Sequence, residues 1–236
     1  VYKRQVEEGL KLDFAEAILN ERKLFEECIE SPQRQGLIHS FFAERANTKI
    51  PELKEGKPIE LNKIGIIGGG TMGTGISMAA MNAGFNVIMI EQNDEAIQKA
   101  KAKITSTYDR SIKLNRITTE QKNKTMDMFS ATTNLSELKD RDLIIEAVFE
   151  NMDVKKEVFV KLNQICSQDC ILASNTSYLN VNEIASVIDN PSRVIGLHFF
   201  SPANIMKLLE VVVAEKTSKD TVSNDFNLEK KMRKVP

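Results

Sequence analysis

The spacing of apolar and polar residues divides the chain into two parts. In residues 1–47, apolar side chains such as Val6, Leu10 and Phe14 recur about one helical turn apart, with charged residues between them. This spacing predicts amphipathic helices. Ser31-Pro32 predicts the end of one helix and the start of another, because serine caps a helix and proline suits its first turn.

The segment from Asn47 to Asn62 is polar and contains Pro51 and Gly56, which predicts a linker. We therefore expect a helical leader with its linker over residues 1–61. A second domain is expected over residues 62–236.

After residue 62, short apolar segments alternate with helical ones. Strands are predicted at Lys63–Ile67, Phe85–Ile90, Leu143–Phe149, Cys170–Ala173, Arg193–Leu197 and Leu208–Val213. Helices are predicted at Ile76–Ala83, at Asn93–Asn115, after a capping box formed by Thr118 and Gln121, and after Asn151. Strands that alternate with helices predict an α/β fold, a Rossmann-type doubly wound and mostly parallel sheet preceded by the helical leader.

Composition narrows the possible partners. Lys and Arg total 32 against 33 acidic residues, so no strong net charge favours nucleic acid or a membrane surface. No apolar run approaches membrane-spanning length. The three cysteines and two histidines do not form a metal-binding cluster, and we expect reduced thiols in an intracellular protein. The pattern of apolar and polar residues is interrupted at Pro236, so we expect a fragment of a longer protein.

A glycine-rich turn carries the clearest chemical signal. Gly68-Gly69-Gly70-Thr71-Met72-Gly73 is a GxGxxG motif between a predicted strand and a predicted helix. Gly68 permits the tight turn, Gly70 lets the backbone approach a pyrophosphate, and Gly73 lets the helix pack on the strand. Glu91 follows Gly68 by 23 positions, close to the offset of about 20 for the acid that binds the adenosine ribose. The motif predicts NAD, because this carboxylate would repel the 2′-phosphate of NADP.

His198 ends an apolar strand, at the sheet edge where ligands of α/β proteins bind. An imidazole there can act as a base at neutral pH, although a histidine at a strand end is more often structural. Glu210 lies in the next apolar segment, where a carboxylate without a partner is unfavourable. If the two segments pair, Glu210 can orient His198 as in a carboxylate–histidine pair. The alternative is a solvated glutamate on an edge strand, and the pattern leaves both open.

Polar residues also follow two other strands. Ser174-Asn175-Thr176-Ser177 can present hydroxyls and an amide to a ligand, although a plain turn is the simpler interpretation. Glu146 and Glu150 are candidates for facing a cofactor, and Lys155 can reach a phosphate or ribose from the next helix. Glu150 has a second interpretation, as a first-turn acid favoured by the helix dipole.

Taken together, these segments resemble the 3-hydroxyacyl-CoA dehydrogenase family. The resembling stretches lie in family order between about residues 62 and 215: Gly68–Gly73, Glu91-Gln92, Glu146–Asn151, Ser174–Ser177, Gly196–Pro202 and Met206–Glu210. The resemblance implies NAD-dependent oxidation of (3S)-hydroxyacyl-CoA to 3-oxoacyl-CoA in fatty-acid β-oxidation. Phe41–Arg45 resembles the segment that connects the hydratase and dehydrogenase halves of peroxisomal bifunctional enzymes.

The family resemblance also implies roles for single residues. His198 would take the proton of the 3-hydroxyl as hydride leaves C3, and Glu210 would orient and polarise it. Ser177 would hydrogen-bond the reacting oxygen. The residues expected to bind the cofactor are Gly68, Gly70, Thr71, Met72, Gly73, Glu91, Gln92, Ala147, Glu150, Lys155 and Asn175.

The resemblance extends to partners and location. It implies an acyl-CoA substrate, and a dimer or a larger multifunctional chain. The expected location is the peroxisome, with the mitochondrial matrix as the alternative.

Two departures from the family bear on activity. Tyr178 stands where a second small serine is usual. The family's helical C-terminal domain, which contributes a catalytic asparagine, is absent from this sequence. We therefore expect a chain that binds NAD but turns over poorly.

Three alternatives remain at this stage. One is a Rossmann dehydrogenase of short β-hydroxy acids, which generally uses a lysine base. Another is a catalytically incompetent NAD-binding or scaffold module. A purely helical structural module would explain residues 1–47 but not the glycine motif.

Overall fold

A computed structural model describes residues 2–47 and 55–236, and the chain divides into two compact units, residues 1–49 and 50–236. The first unit contains the helices α1 (Tyr2–Gly9), α2 (Phe14–Glu30) and α3 (Pro32–Ala46). The Ser31 hydroxyl accepts a hydrogen bond from the Arg34 N–H, and proline opens α3, as the sequence predicted. Leu24 is the one fully buried apolar residue among the described residues of this unit.

The second unit is built on one sheet. Its strands are β1 (Lys63–Ile67), β2 (Asn86–Ile90), β3 (Phe129–Thr132), β4 (Leu143–Glu146), β5 (Ile171–Ser174), β6 (Val194–Phe199) and β7 (Leu209–Val212). Their order is β3-β2-β1-β4-β5-β6-β7. Strands β1 to β6 pair in parallel and β7 is antiparallel to β6. The Rossmann-type, mostly parallel sheet predicted from the sequence is therefore confirmed.

The connections between the strands are mainly helical. The helices are α4 (Thr71–Asn82), α5 (Asp94–Lys113), α6 (Thr119–Met126), α7 (Met152–Ile165), α8 (Val181–Ala185) and α9 (Lys219–Met232). The predicted capping box of Thr118 and Gln121 begins α6, and the Asn151 side chain caps α7.

Side chains from both faces of the sheet are buried, which is why the strand sequences are almost continuously apolar. Ile66 and Ile145 belong to one apolar cluster, and their neighbours Ile67 and Ile144 belong to the cluster on the other face. This alternation follows the two-residue period of a strand.

Several elements differ from the sequence prediction by more than a residue or two at their ends, among them β3, β4 and α4. β3 was not predicted, because its side chains are only partly buried at the edge of the sheet. β4 ends at Glu146 rather than Phe149, which is 79% exposed. α4 begins at Thr71, five residues before the predicted start at Ile76.

Residues 55–61 pack with the second unit. The Lys57 N–H donates to Asp220 at 2.7 Å and the Ile59 N–H donates to Asn224 at 2.8 Å, so this segment is held by α9. The division between units falls at residues 49 and 50, and the boundary predicted at residues 61 and 62 lies inside the second unit. Pro51 of the predicted linker lies outside the described residues.

Candidate active site

The order of the parallel strands creates a cleft at their carboxyl ends. The chain reverses direction across the sheet between β1 and β4, and ligands of doubly wound proteins bind at such a switch point. A cleft of about 660 Å³ opens there. Seven residues expected to bind the cofactor line it: Gly68, Gly70, Thr71, Met72, Glu91, Gln92 and Ala147.

The glycine turn has the geometry that a dinucleotide requires. Gly68 has a φ of +97°, which favours glycine, and a Cβ on Gly73 would overlap the Gly68 carbonyl oxygen. Gly70 lines the cleft, and a Cβ there would meet no atom within 4 Å. Gly70 is the N-cap of α4, and it has no side chain that could accept from the helix. The first N–H groups of α4 are therefore available to phosphate oxygens. These residues fit the pyrophosphate of NAD.

Glu91 connects the end of β2 to the glycine turn. Its carboxylate accepts a hydrogen bond from the Gly69 N–H and a second from the Gln92 N–H at 3.0 Å. A Cβ on Gly69 would lie 2.8 Å from Met89 Sδ and 2.9 Å from Ala100 Cβ. Gly69 therefore has a packing role that the sequence analysis did not assign. The run of three glycines could have indicated it.

Other residues of the cleft were not identified from the sequence. Glu157 and Lys161 of α7 form an ion pair of 2.7 Å at its wall, with Val154 and Val158 beside them. Their spacing of three or four residues places them on one face of a helix. The sequence could therefore have predicted that these four side chains share a helix face. Only the order of the strands shows that this face lines the cleft.

His198 and Glu210 are brought together by the antiparallel pairing of β6 and β7. The two residues are directly opposite in the register, and Nδ1 of His198 lies 2.7 Å from Oε2 of Glu210. The histidine side chain is 19% exposed and the glutamate side chain is 53% exposed. The pairing alternative of the sequence analysis is thus the one observed. Because Nδ1 faces Glu210, Nε2 is the nitrogen that can serve a substrate.

The segment after β5 joins neighbouring strand ends. The Asn175 N–H donates to the Glu146 carbonyl at 2.8 Å, and the Asn175 Oδ1 accepts from the Phe199 N–H at 2.9 Å. Asn175 therefore lies between the end of β4 and the residue that follows His198. The segment is more than a plain turn, because it fixes the position of the β6 terminus.

Ser177 is held by Glu150. The Ser177 N–H and hydroxyl lie 2.8 and 3.3 Å from Oε1 of Glu150, which also accepts from the Thr176 hydroxyl at 2.6 Å. Burial raises the pKa of Glu150, but the bonds from Thr176 and Ser177 and the charge of Lys155 outweigh burial and lower that pKa overall. Glu150 is therefore an ionised acceptor behind Ser177.

Lys155 is buried between two carboxylates. Its side chain is 1% exposed, and its Nζ lies 2.7 Å from Glu146 and 3.2 Å from Glu150. Four of the residues expected to bind the cofactor do not line the cleft: Gly73, Glu150, Lys155 and Asn175.

In the described part of the chain, no cluster of three or more His, Cys, Asp or Glu side chains has the arrangement of a metal site. None of the helices described is both long and apolar enough to cross a bilayer. The three cysteines are free thiols.

Comparison with known proteins assigns the family. A family model described as 3-hydroxyacyl-CoA dehydrogenase, NAD binding domain, matches residues 63–236. The chain belongs to this family. The family resemblance inferred from the sequence is confirmed, and NAD is the cofactor of the domain.

The relatives are longer proteins. The peroxisomal fatty acid beta-oxidation multifunctional protein of Oryza sativa subsp. japonica is 36% identical over 233 residues, which are 98% of this chain and 32% of that protein. The peroxisomal bifunctional enzyme of Homo sapiens is 35% identical over 237 residues, which are again 98% of this chain and 32% of that protein. The chain thus spans about a third of the length of these relatives, and the match includes the helical leader.

Solved structures share the fold. The (S)-3-hydroxybutyryl-CoA dehydrogenase of Ralstonia eutropha aligns with a TM-score of 0.74 and 36% identity, over 75% of this chain and 62% of that one. The dehydrogenase part of multifunctional enzyme 1 from C. elegans aligns with a TM-score of 0.71 and 33% identity, over 78% of this chain and 42% of that one.

Proposed function

We propose that this chain is the cofactor-binding part of an NAD-dependent dehydrogenase that oxidises (3S)-hydroxyacyl-CoA to 3-oxoacyl-CoA in fatty-acid β-oxidation. The observation that carries the proposal is the 2.7 Å contact between His198 and Glu210, at the same end of the sheet as the NAD cleft. A lysine base of the kind used by dehydrogenases of short β-hydroxy acids is not needed, because the imidazole is already paired with a carboxylate.

In this mechanism the protein positions the substrate and moves one proton. Nε2 of His198 accepts the proton of the 3-hydroxyl, and Glu210 stabilises the resulting imidazolium. The Ser177 hydroxyl turns its single O–H from Glu150 to the reacting oxygen, while the Ser177 N–H keeps its hydrogen bond to Glu150. NAD, when bound, supplies the acceptor for the hydride that leaves C3.

The finer points of this proposal draw on the relatives. The (S) configuration is that of the Ralstonia eutropha dehydrogenase, and the names of the plant and human relatives support a peroxisomal location. The same relatives support a place in a larger multifunctional protein that acts on acyl-CoA. A dimeric assembly and the roles of single site residues are likewise part of the proposal.

Two variants separate cofactor binding from chemistry. We expect Glu91→Ala to weaken NAD binding at least 10-fold by calorimetry, since hydrogen bonds to charged groups contribute about 1.5–3 kcal/mol. We expect His198→Ala to retain NAD binding. In the longer protein that carries this domain, the same substitution should lower the rate of NADH formation from a 3-hydroxyacyl-CoA by about 10²–10⁴-fold, the usual contribution of general base catalysis.

Glu95→Ala is the matched control for Glu91→Ala, because Glu95 is an exposed acid of α5 that pairs with Lys99 of the same helix. It should bind NAD as the unaltered chain does. NAD binding without any NADH formation, both by this chain and by the longer protein that carries it, would favour the non-catalytic alternative. NADH formation that survives in His198→Ala would exclude His198 as the base.

A further inference from the structure

Lys234 contacts the loop of residues 200–208, which joins β6 to β7, the two strands of the candidate catalytic pair. Its ammonium donates to the carbonyl oxygens of Ala203 and Met206, the second at 2.6 Å. Both carbonyls belong to a single turn of the loop, and a cation there satisfies groups that face the end of that turn. Lys234 therefore fixes the loop at two points.

The end of α9 determines where Lys234 lies. Arg233, which follows the last residue of α9, adopts a left-handed conformation with a φ of +55°. The Arg233 N–H donates to the Lys230 carbonyl at 3.2 Å. The Lys234 N–H donates to the Glu229 carbonyl at 2.8 Å, and these two bonds form a Schellman cap. The cap turns the chain away from the helix, so that the residues after it run beside the loop.

The residue after Lys234 holds the beginning of β7. The Val235 N–H donates to the Lys207 carbonyl at 2.9 Å, and the Val235 carbonyl accepts from the Leu209 N–H at 3.0 Å. Glu210 is the next residue of the strand. The same short segment thus contacts both the loop and the start of the strand that carries Glu210.

Burial alone specifies the register of β7 only weakly. The strand has four residues, of which only Leu209 is fully buried. In the observed register Glu210 lies directly opposite His198. A slip by one residue would turn the Glu210 side chain to the other face of the sheet. The contacts of the loop therefore help to decide whether the carboxylate reaches the imidazole.

The loop is also held from β6 and from α4. The Nζ of Lys234 lies 5.8 Å from the centroid of the buried Phe199 ring, within the range of a cation–π interaction, and Phe199 directly follows His198. On α4, a Cβ on Gly75 would lie 3.1 Å from the Ala203 nitrogen. The ammonium thus lies between the end of β6 and a loop that packs closely on a neighbouring helix.

We propose that Lys234 is a positioning residue: its ammonium holds the loop between β6 and β7, so that Glu210 stays opposite His198 and selects the tautomer of the imidazole. With Glu210 accepting from Nδ1–H, the neutral ring keeps Nε2 as the base for the substrate proton. This inference rests on the proposed function for the role of His198. The link from Lys234 to the imidazole can be measured without turnover.

The test compares Lys234→Met with Lys230→Met, which removes an exposed lysine of α9. Amide hydrogen exchange reports on the loop through the hydrogen-bonded amides of Met206 and Leu209. Lys234→Met should lower their protection at least about 10-fold, while the amides of β1 and β2 keep theirs. Lys230→Met should change it less than about 3-fold. Lys234→Arg should retain most of the protection, because a guanidinium can donate to both carbonyls.

Nitrogen-15 NMR of the imidazole reports the tautomer directly. The sequence contains two histidines, so His39→Gln leaves His198 as the one imidazole to observe. On the neutral-ring plateau of a pH titration, Nδ1 should have the chemical shift of a protonated nitrogen and Nε2 that of an unprotonated one. In Lys234→Met the two signals should move towards each other, because the Nε2–H tautomer becomes populated when Glu210 leaves Nδ1.

Three results would overturn the proposal. The first is unchanged loop protection in a folded Lys234→Met. The second is lost protection with unchanged His198 signals, which would limit Lys234 to a structural role in the loop. The third is an equal loss in Lys230→Met, which would make the effect a general one of charge on α9. Lys234→Gln repeats the comparison if Lys234→Met does not fold.

Failure of the proposed function would have a different signature. NADH formation that survives His198→Ala in the longer protein would count against His198 as the base. The exchange and NMR results would still show whether Lys234 holds Glu210 against the imidazole.

Discussion

At the residue scale, the glycine motif combines two different steric requirements. Gly73 is required because a Cβ would overlap the Gly68 carbonyl oxygen, so its constraint belongs to the folded protein itself. A Cβ on Gly70 would meet no atom of the protein within 4 Å, so the constraint at this position concerns the ligand that enters the cleft. The same residue type therefore serves stability at one position and binding at the other.

These two requirements can be separated by substitution. Gly73→Ala should lower the free energy of unfolding by about 1–3 kcal/mol, the usual result of forcing an extra carbon into a packed site. Gly70→Ala should change it by less than about 1 kcal/mol, because Gly70 is a helix N-cap with open space around it. It should nevertheless weaken NAD binding. Urea unfolding and calorimetry give the two quantities, and equal loss of stability in both variants would contradict the assignment.

At the element scale, α9 carries two carboxylates on its buried face. Asp225 and Glu229 are one helical turn apart, almost fully buried, and without a hydrogen-bond partner within the described part of the chain. Burial raises the pKa of Asp225 well above its usual value. Burial and the neighbouring Asp225 raise the pKa of Glu229 to about 9. Glu229 is therefore protonated in the folded protein at neutral pH.

The pH dependence of stability follows from these shifts. An unfolded glutamate ionises near pH ~4.3, so above that value the folded state holds a proton that the unfolded state has lost. The contribution of Glu229 to stability is then present at low pH and declines as pH rises towards about 9. We expect Glu229→Met to raise the unfolding free energy at pH 8 by about 1–3 kcal/mol, the cost of a buried unsatisfied group.

The measurement is urea unfolding at pH 5, 6.5 and 8. Glu229→Met should show a smaller decline with pH than the unaltered chain. Glu95→Met is the control, because Glu95 is exposed on α5, and its effect should stay within about 0.5 kcal/mol at each pH. Identical pH slopes for Glu229→Met and the unaltered chain would refute the buried, protonated state.

At the scale of the whole molecule, the two compact units differ in how much apolar surface they bury. In the described residues of the first unit only Leu24 is fully buried, while Leu10 is 82% exposed and Phe14 is 83% exposed. The second unit buries apolar side chains on both faces of its sheet. Because apolar burial is the main favourable contribution to folding, the sheet should be the more stable part.

Amide hydrogen exchange on the intact chain tests this difference. Amides of α3 should exchange at least about 100-fold faster than those of α7, a helix of similar length that buries Phe159 and Leu162 against the sheet. Equal protection in α3 and α7 would show that the first unit is stabilised by more than its own described contacts.

The sequence by itself determined the features that are encoded locally. The strand, glycine turn and helix around Gly68–Gly73 are contiguous, and Glu91 follows at a fixed offset, so the NAD site could be predicted without knowing the sheet order. The capping signals at Ser31, Thr118 and Asn151 were likewise correct, because a cap depends on residues only a few positions away.

The tertiary structure decided every feature that depends on which strand lies beside which. The pairing of His198 with Glu210 required β7 to run antiparallel to β6, and the sequence left that pairing open. The burial of Lys155 between Glu146 and Glu150 required β4, α7 and the segment after β5 to meet, which no local pattern specifies. Such contacts join residues far apart in sequence, and only the arrangement of the whole sheet specifies them.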